Sequence, residues 1–227
     1  MLDLKKKVEQ INLVLEKKKI PNIVCRVMGS LDASGSMEEL YRNGTVQETI
    51  NRIFALGYRF DDNQMIDLSL FSCDYINIGE IALGEVDNLV VTKIYKKAPF
   101  GGTEYANTIR SLSINSSNTV VGFFKSFFKK NENLPPAYAI VITDGDNSDI
   151  LETNEELVNS LNKNIFFVFV GIGQRRYPNL EKYAQFNHVD FIKISDLNQT
   201  TDQELYSELL STKFIQWMTD NHSQFMS

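Results

Sequence analysis

The segment Leu31-Asp32-Ala33-Ser34-Gly35-Ser36 follows the first strongly apolar run of this 227-residue chain. That run, Ile23-Val24-Cys25-Arg26-Val27-Met28, predicts a buried strand, so Asp32, Ser34 and Ser36 are expected in the turn where the strand stops. One carboxylate and two hydroxyls at alternate positions suit a hard cation such as Mg²⁺, which prefers oxygen ligands in near-octahedral geometry. The D-x-S-x-S pattern alone is weak evidence for a cation site. Such a site also needs oxygen ligands from other parts of the chain.

The remainder of the chain alternates strand-like and helical patterns. Further strands are expected over 66–71, 137–142, 165–170 and 190–194, with a short edge strand at 89–91. Helices are expected over 2–18, 38–57, 105–112, 119–130, 153–161 (with Thr153 as its N-cap), 180–186 and 202–218. This alternation predicts an α/β fold: a doubly wound, mostly parallel, Rossmann-like central sheet of about six strands, flanked by helices.

The domain organisation is expected to be simple. Residues 1–21 form an amphipathic helix packed on the domain, since Leu4, Val8, Ile11 and Leu15 recur at spacings of four, three and four, and Pro21 ends the pattern. Residues 22–227 are expected to form one domain, because neither a repeat nor a linker marks a second one and the length suits one large core.

The composition narrows the class of protein. A hydrophobic fraction of 43% and a charged fraction of 23% are typical of a soluble globular protein. The net charge of −6 argues against nucleic-acid binding, which needs a basic face. No window approaches 18 continuous apolar residues, so a membrane span is not expected, and the N-terminus lacks the apolar core of a signal peptide. We therefore expect a cytoplasmic protein.

The remaining reactive side chains do not predict an enzyme. Cys25 and Cys73 lie in strand-like contexts and are expected to be buried small hydrophobes rather than a disulfide framework. His188 and His222 neighbour no recognisable nucleophile motif and are expected to be surface residues. Trp217 is expected to anchor the last helix by packing.

Two further polar loops match the first one. Phe100-Gly101-Gly102-Thr103 places a hydroxyl beside glycines that let the backbone approach a ligand closely. Thr143-Asp144-Gly145-Asp146 ends a doubly buried strand, where an ionised Asp144 needs a partner. Ligands of open α/β sheets lie outside the carboxyl ends of the strands, near the point where the strand order reverses, and all three loops can meet there.

Each motif taken alone also has a structural interpretation. Asp32, Ser34 and Ser36 are common N-cap residues, Thr103 suits the cap of the helix that follows it, and residues 143–146 suit a tight turn. The neighbouring carboxylates are interpreted as surface turn or helix residues near enough to support a metal site: Glu38, Asp146 and Asp149.

The order of the three motifs, D-x-S-G-S, then G-G-T, then T-D-G, resembles the von Willebrand factor A (vWA) domain and its metal-ion-dependent adhesion site (MIDAS). The sequence around the first motif, over residues 31–37 and 40–47, is similar to that of the vWA domain at the C-terminal end of TerF-type tellurium-resistance proteins. Phe60-Asp61-Asp62 and the run 99–103 also suit that subgroup. The resemblance covers nearly the whole chain from about residue 22.

The resemblance implies a metal site and a binding function. Ser34, Ser36 and Thr103 would be direct ligands through their hydroxyls, while Asp32 and Asp144 would act mostly through metal-bound water. It implies Mg²⁺, with Mn²⁺ or Ca²⁺ as alternatives, and a protein partner that offers an acidic residue to the metal. It further implies a non-enzymatic module of tellurium resistance or chemical stress response. We expect the protein to act as a monomer or weak oligomer without nucleic acid.

Two other functions stay open at this point. An aspartate after the first strand of an α/β sheet is also the nucleophile of Mg²⁺-dependent phosphatases and phosphotransferases. That chemistry usually needs a second carboxylate two residues later, where this chain has Ser34, and no phosphate-anchoring lysine is evident near the third loop. A structural module with a vestigial site is the other alternative.

Overall fold

A six-stranded sheet lies at the centre of the computed structural model, which describes residues 2–61, 63–117 and 134–227. Its strands are β1 (Arg26–Asp32), β2 (Ile66–Phe71), β3 (Tyr75–Ile81), β4 (Ala137–Thr143), β5 (Ile165–Ile172) and β6 (Val189–Ile194). They lie in the order β3-β2-β1-β4-β5-β6, and every neighbouring pair is parallel except β2 and β3. The predicted α/β fold with a mostly parallel sheet is confirmed.

Helices cover both faces of this sheet. They are α1 (Leu2–Lys18), α2 (Glu38–Arg42), α3 (Thr45–Phe60), α4 (Ala106–Ser117), α5 (Ile150–Ser160), α6 (Pro178–Tyr183), α7 (Asp202–Leu209) and α8 (Thr212–His222). Because side chains alternate across a strand, Val27 of β1 packs in the layer of α1, α3, α7 and α8, while Met28 packs in the layer of α4, α5 and α6. None of the helices in the described ranges is long and apolar enough to cross a membrane.

The two strands with the most uniform apolar sequence, β4 and β5, are both interior strands of the sheet. Every residue of β4 and β5 is buried, as expected for parallel strands covered on both faces. Trp217 packs its ring 5.5 Å from that of Phe166 in β5, so its predicted role as a packing anchor of the last helix is confirmed.

The edge strand was predicted in the wrong place. Leu89 and Val90 are buried but Val91 is 74% exposed, and they belong to a helical turn that continues as a π-helix over Val90–Ile94. A short apolar run cannot distinguish strand from helix by itself. The strand missing from the prediction is β3, one of the two edge strands, whose half-exposed residues and left-handed Gly79 (φ 103°) weaken its pattern in the sequence.

Two predicted long helices are each divided in two. The segment 38–57 breaks after α2, where Gly44 adopts φ 89° at the N-cap of α3. The segment 202–218 breaks between α7 and α8, where Ser211 accepts a hydrogen bond from the Phe214 N–H and caps α8. Gly57 does not end its helix: a Cβ there would lie 2.7 Å from the Met65 carbonyl oxygen, so glycine permits the close approach of α3 to the chain entering β2.

Other boundaries differ for reasons of tertiary contact. Ile23 is buried but forms an isolated bridge with Met226 near the C-terminus, so β1 begins only at Arg26. Thr153 lies buried inside α5 and does not cap it, because α5 begins at Ile150. The predicted helix 119–130 lies outside the described residues.

Three predictions of exposure were wrong. Cys25 is buried as expected, but Cys73 is exposed. His188 and His222 are both buried, His188 with its Nε2 2.8 Å from the Ser160 hydroxyl. Burial lowers the pKa of His188 to about 4, so the ring is neutral at pH 7.

Candidate metal centre

The predicted site lies where the strand order reverses. β1 pairs with β2 on one side and with β4 on the other, so the chain connections that follow β1 and β4 lead to opposite halves of the sheet. Ligands of such sheets bind in the crevice outside the carboxyl ends of these strands. Asp32 is the last residue of β1 rather than part of the turn after it, and Asp144 directly follows β4.

Asp32 is fully buried at this crevice. Its Oδ1 accepts a hydrogen bond from the Ser34 N–H (2.7 Å), and its Oδ2 accepts one from the Thr143 hydroxyl (2.6 Å). Burial raises the pKa of the Asp32 carboxyl to about 6, although both hydrogen bonds oppose the rise. Among the ion pairs of the described residues, none includes Asp32 or Asp144. The charged form of Asp32 therefore lacks a protein cation.

The two serines connect Asp32 to Asp144. The Ser34 and Ser36 hydroxyl oxygens lie 3.3 Å apart, and the Ser36 hydroxyl donates to Asp144 Oδ1 at 2.7 Å. Ser34 is buried and Ser36 is exposed, so the cluster leads from the sheet to solvent. Ser34 precedes a 3₁₀ turn, but its side chain makes no capping hydrogen bond there. Its hydroxyl faces the cluster instead of serving the structural role considered above.

The loop with Thr103 is held against both other loops through its main chain. The Gly35 N–H donates to the Gly101 carbonyl oxygen (2.9 Å), and the Ser148 N–H donates to the Thr103 carbonyl oxygen (3.1 Å). A Cβ on Gly101 would lie 2.9 Å from the Ser72 hydroxyl, which explains the need for glycine at this close approach. Thr103 is half-buried, and the main chain around it contacts both the loop after β1 and the loop after β4.

Asp149 has a role that the sequence did not indicate. Its carboxylate oxygens accept hydrogen bonds from the N–H groups of Tyr105 (3.0 Å) and Ala106 (2.7 Å) at the start of α4. Asp149, not Thr103, therefore caps α4. Because Asp149 follows the third loop and α4 follows the second, this contact fixes the two loops relative to each other.

The remaining carboxylates have other partners. Glu38 pairs with Arg42 at 2.5 Å, and its Oε1 accepts from the Tyr95 hydroxyl at 3.2 Å. Asp146 Oδ2 accepts from the Asn179 N–H at 3.1 Å, and burial raises the pKa of this half-buried carboxyl. Their interpretation as turn and helix residues agrees with these contacts.

The donor set suits a hard divalent cation. It combines two carboxylates with hydroxyls, and one carboxylate is buried without a cation from the protein. Among the described residues, no group of three or more His, Cys, Asp and Glu side chains is arranged to hold a metal. A cation here would therefore depend on the hydroxyls of Ser34, Ser36 and Thr103, which is oxygen chemistry of the kind that Mg²⁺, Mn²⁺ and Ca²⁺ accept.

A cleft of about 440 Å³ opens beside this cluster. Ser36, Asp144, Leu197 and Asn198 are among the residues that line it. The Asn198 amide donates to the Thr45 hydroxyl at 2.9 Å, which joins the start of α3 to the loop before α7. The cluster thus adjoins a depression large enough for side chains.

Comparison with known proteins agrees with this architecture. A family model described as the vWA found in the TerF C terminus matches residues 24–226. The uncharacterized protein YcbR of Bacillus subtilis (strain 168) is 27% identical over 230 residues, which cover 96% of this chain and 87% of YcbR. The comparisons give no support to the phosphatase alternative.

Solved structures share the fold at low sequence identity. BatB from Bacteroides thetaiotaomicron has a TM-score of 0.54 and 16% identity, covering 84% of this chain and 98% of that one. Proximal thread matrix protein 1 from the mussel byssus has a TM-score of 0.57 and 15% identity over 84% of this chain. This chain spans about half of that mussel protein, 48% of its length. A further structure of the mussel protein, described as having a zinc-occupied MIDAS motif, has a TM-score of 0.56, with 14% identity and the same coverage of both chains.

Proposed function

Because this chain belongs to the vWA domains of the TerF type, we propose that it is a protein-interaction domain whose partner binds through a divalent cation at the Asp32–Asp144 cluster. The proposal assigns it no catalytic turnover. It acts in the cytoplasm, as a monomer or weak oligomer, in tellurium resistance or chemical stress response. The role in resistance rests on the family to which the chain belongs, since one fold serves many functions.

The observation that supports metal binding most strongly is the buried Asp32. Its carboxylate lies at the switch point of the sheet with no cationic side chain of the described residues to neutralise it. An uncompensated buried charge is costly, and a bound cation removes that cost. We assign Ser34, Ser36 and Thr103 as direct ligands, with Asp32 and Asp144 holding metal-bound water.

The ligand chemistry also explains why the partner would be acidic. Hydroxyl ligands are neutral, so a divalent cation held mainly by them keeps net positive character and attracts a carboxylate as a further ligand. Asp32 and Asp144 then orient water at the site, and Ser36 reaches solvent, where a partner can approach. We propose Mg²⁺ as the physiological ion, with Mn²⁺ and Ca²⁺ as alternatives. The zinc described for the mussel structure, which shares the fold, makes Zn²⁺ a competitor to include in titrations.

Affinity capture from the native cell tests this function. The full chain is immobilised and exposed to cell extract in the presence of Mg²⁺, then washed with a chelator. We expect specific proteins to be retained in Mg²⁺, released by the chelator and recovered when Mg²⁺ is restored. Retention of the same proteins whether or not metal is present would show that binding does not use the cation. Stable protein with no metal affinity would instead support the vestigial-site alternative.

A further inference from the structure

Arg175 is an exposed cation at the wall of the cleft beside the metal cluster. It lines the same cleft as Ser36 and Asp144, and its Nη1 donates to the Asp144 main-chain oxygen at 3.4 Å. Arg175 is therefore placed by the fold next to one residue of the proposed site.

The loop that presents Arg175 is anchored on both sides. Gly173 adopts φ 99°, a conformation that favours glycine, and its N–H donates to the Ile194 carbonyl oxygen at 2.8 Å. Tyr177 is buried, and its hydroxyl donates to the Ile172 carbonyl oxygen. Because the segment between these anchors is short, they hold the main chain of Arg175 in place relative to the sheet.

The guanidinium has unused hydrogen-bonding capacity. Arginine offers five N–H donors in a planar fork that matches a carboxylate, and one weak bond to a carbonyl oxygen uses only a small part of it. In the described ranges, Arg175 forms no ion pair. The exposed Arg175 guanidinium lies beside the proposed metal site, where an acidic residue of the partner would bind. It is therefore suited to bind a second acidic group of the same partner.

The charges along the cleft favour this orientation of an acidic ligand. Glu39 and Asp196 also line the cleft and are exposed, and the chain as a whole carries a net charge of −6. Acidic groups are therefore repelled from most of this surface. Arg175 is the cationic side chain among the described residues that line the cleft, so a second carboxylate is stabilised there and not elsewhere along it.

We propose that Arg175 determines partner specificity by binding a second acidic side chain, next to the acidic residue that completes the cation's ligand shell. The partner is thus a protein segment with two nearby acidic residues. This inference rests on the proposed function, because it takes the first acidic residue to bind at the metal.

The test compares Arg175→Ala with Arg176→Ala, a matched variant of the adjacent exposed arginine that does not line the cleft. An array of short peptides with either one acidic residue or a pair of them is probed with the full chain in Mg²⁺. We expect paired acidic peptides to bind the parent about fivefold to tenfold more tightly than single ones. Arg175→Ala should lose this preference, and Arg176→Ala should retain it.

Calorimetric titration with Mg²⁺ distinguishes a failure of the role proposed for Arg175 from a failure of the proposed metal-dependent function. We expect all three proteins to bind Mg²⁺, because Arg175 donates no ligand to the cation. If Mg²⁺ binds and Arg175→Ala keeps the preference for paired acidic peptides, or the parent has none, the role of Arg175 is refuted. If the parent binds no divalent ion, the proposed function itself fails.

Discussion

Replacing Asp32 by asparagine is expected to weaken Mg²⁺ binding about 10- to 100-fold, the range found when a group that orients metal ligands is lost. The same change should leave the metal-free protein at least as stable as the parent, because it removes a buried negative charge. Asparagine still accepts the hydrogen bond from the Ser34 N–H through Oδ1. Its Nδ2 cannot accept from the Thr143 hydroxyl but can donate to it, and that hydroxyl keeps the Gly145 carbonyl oxygen as an acceptor at 3.0 Å. Calorimetric Mg²⁺ titration and thermal unfolding in chelator measure the two effects separately.

Asp61→Asn is the matched control for this substitution. Asp61 is also a partly buried carboxyl whose pKa is raised by burial, to about 7, but it lies after α3, near the opposite end of β1. We expect its asparagine variant to bind Mg²⁺ as the parent does. Undiminished Mg²⁺ affinity in Asp32→Asn would remove Asp32 from the metal site. A large loss of stability in chelator would show that the carboxylate has a structural role instead.

Replacing Asp149 by alanine is expected to lower the free energy of unfolding by about 2 kcal/mol, because two N–H groups at the start of α4 lose a charged acceptor. The Asn147 amide, which donates to Asp149 Oδ1 at 2.8 Å, also loses this partner. We expect Mg²⁺ affinity to fall about tenfold as well, since Asp149 fixes the loop with Thr103 against the loop after β4.

Chemical denaturation and calorimetry of Asp149→Ala test both effects. Glu152→Ala is its control, because Glu152 is an exposed acidic residue in the first turn of α5 and makes no contact with α4 in the described hydrogen bonds. The control should change the unfolding free energy by less than about 0.5 kcal/mol. If Asp149→Ala matched the control in both measurements, the proposed coupling between the two loops would be wrong.

The parts of the fold that were predictable are those whose cause is local. Helices cover both faces of β4 and β5, so every residue of these strands is buried and, apart from Thr143 at the end of β4, polar side chains are absent from their sequences. β3 was missed because an antiparallel edge strand buries only part of its surface. Ile23 was predicted as part of β1 because it belongs to an apolar run. It instead pairs with Met226, near the other end of the chain, and a partner so distant in sequence cannot be predicted from a local pattern.

The same difference between local and distant contacts decides which parts of the candidate site could be predicted. Asp32, Ser34 and Ser36 are close in sequence, so their common geometry was readable from spacing. The role of Asp149 could not be predicted in this way, because the N–H groups that donate to its carboxylate lie 43 and 44 positions earlier in the chain. His188 was wrongly expected at the surface for a similar reason, since its contact with Ser160 spans 28 positions.

A crystal soaked with Mn²⁺ and measured by anomalous scattering tests the central claim most directly. Mn²⁺ takes oxygen ligands as Mg²⁺ does and can be located by its anomalous signal. We predict one strong peak within bonding distance of the Ser34, Ser36 and Thr103 hydroxyl oxygens. A peak at another place, or none at the Asp32–Asp144 cluster at saturating Mn²⁺, would contradict the claim that this vWA domain binds its partner through a metal ion.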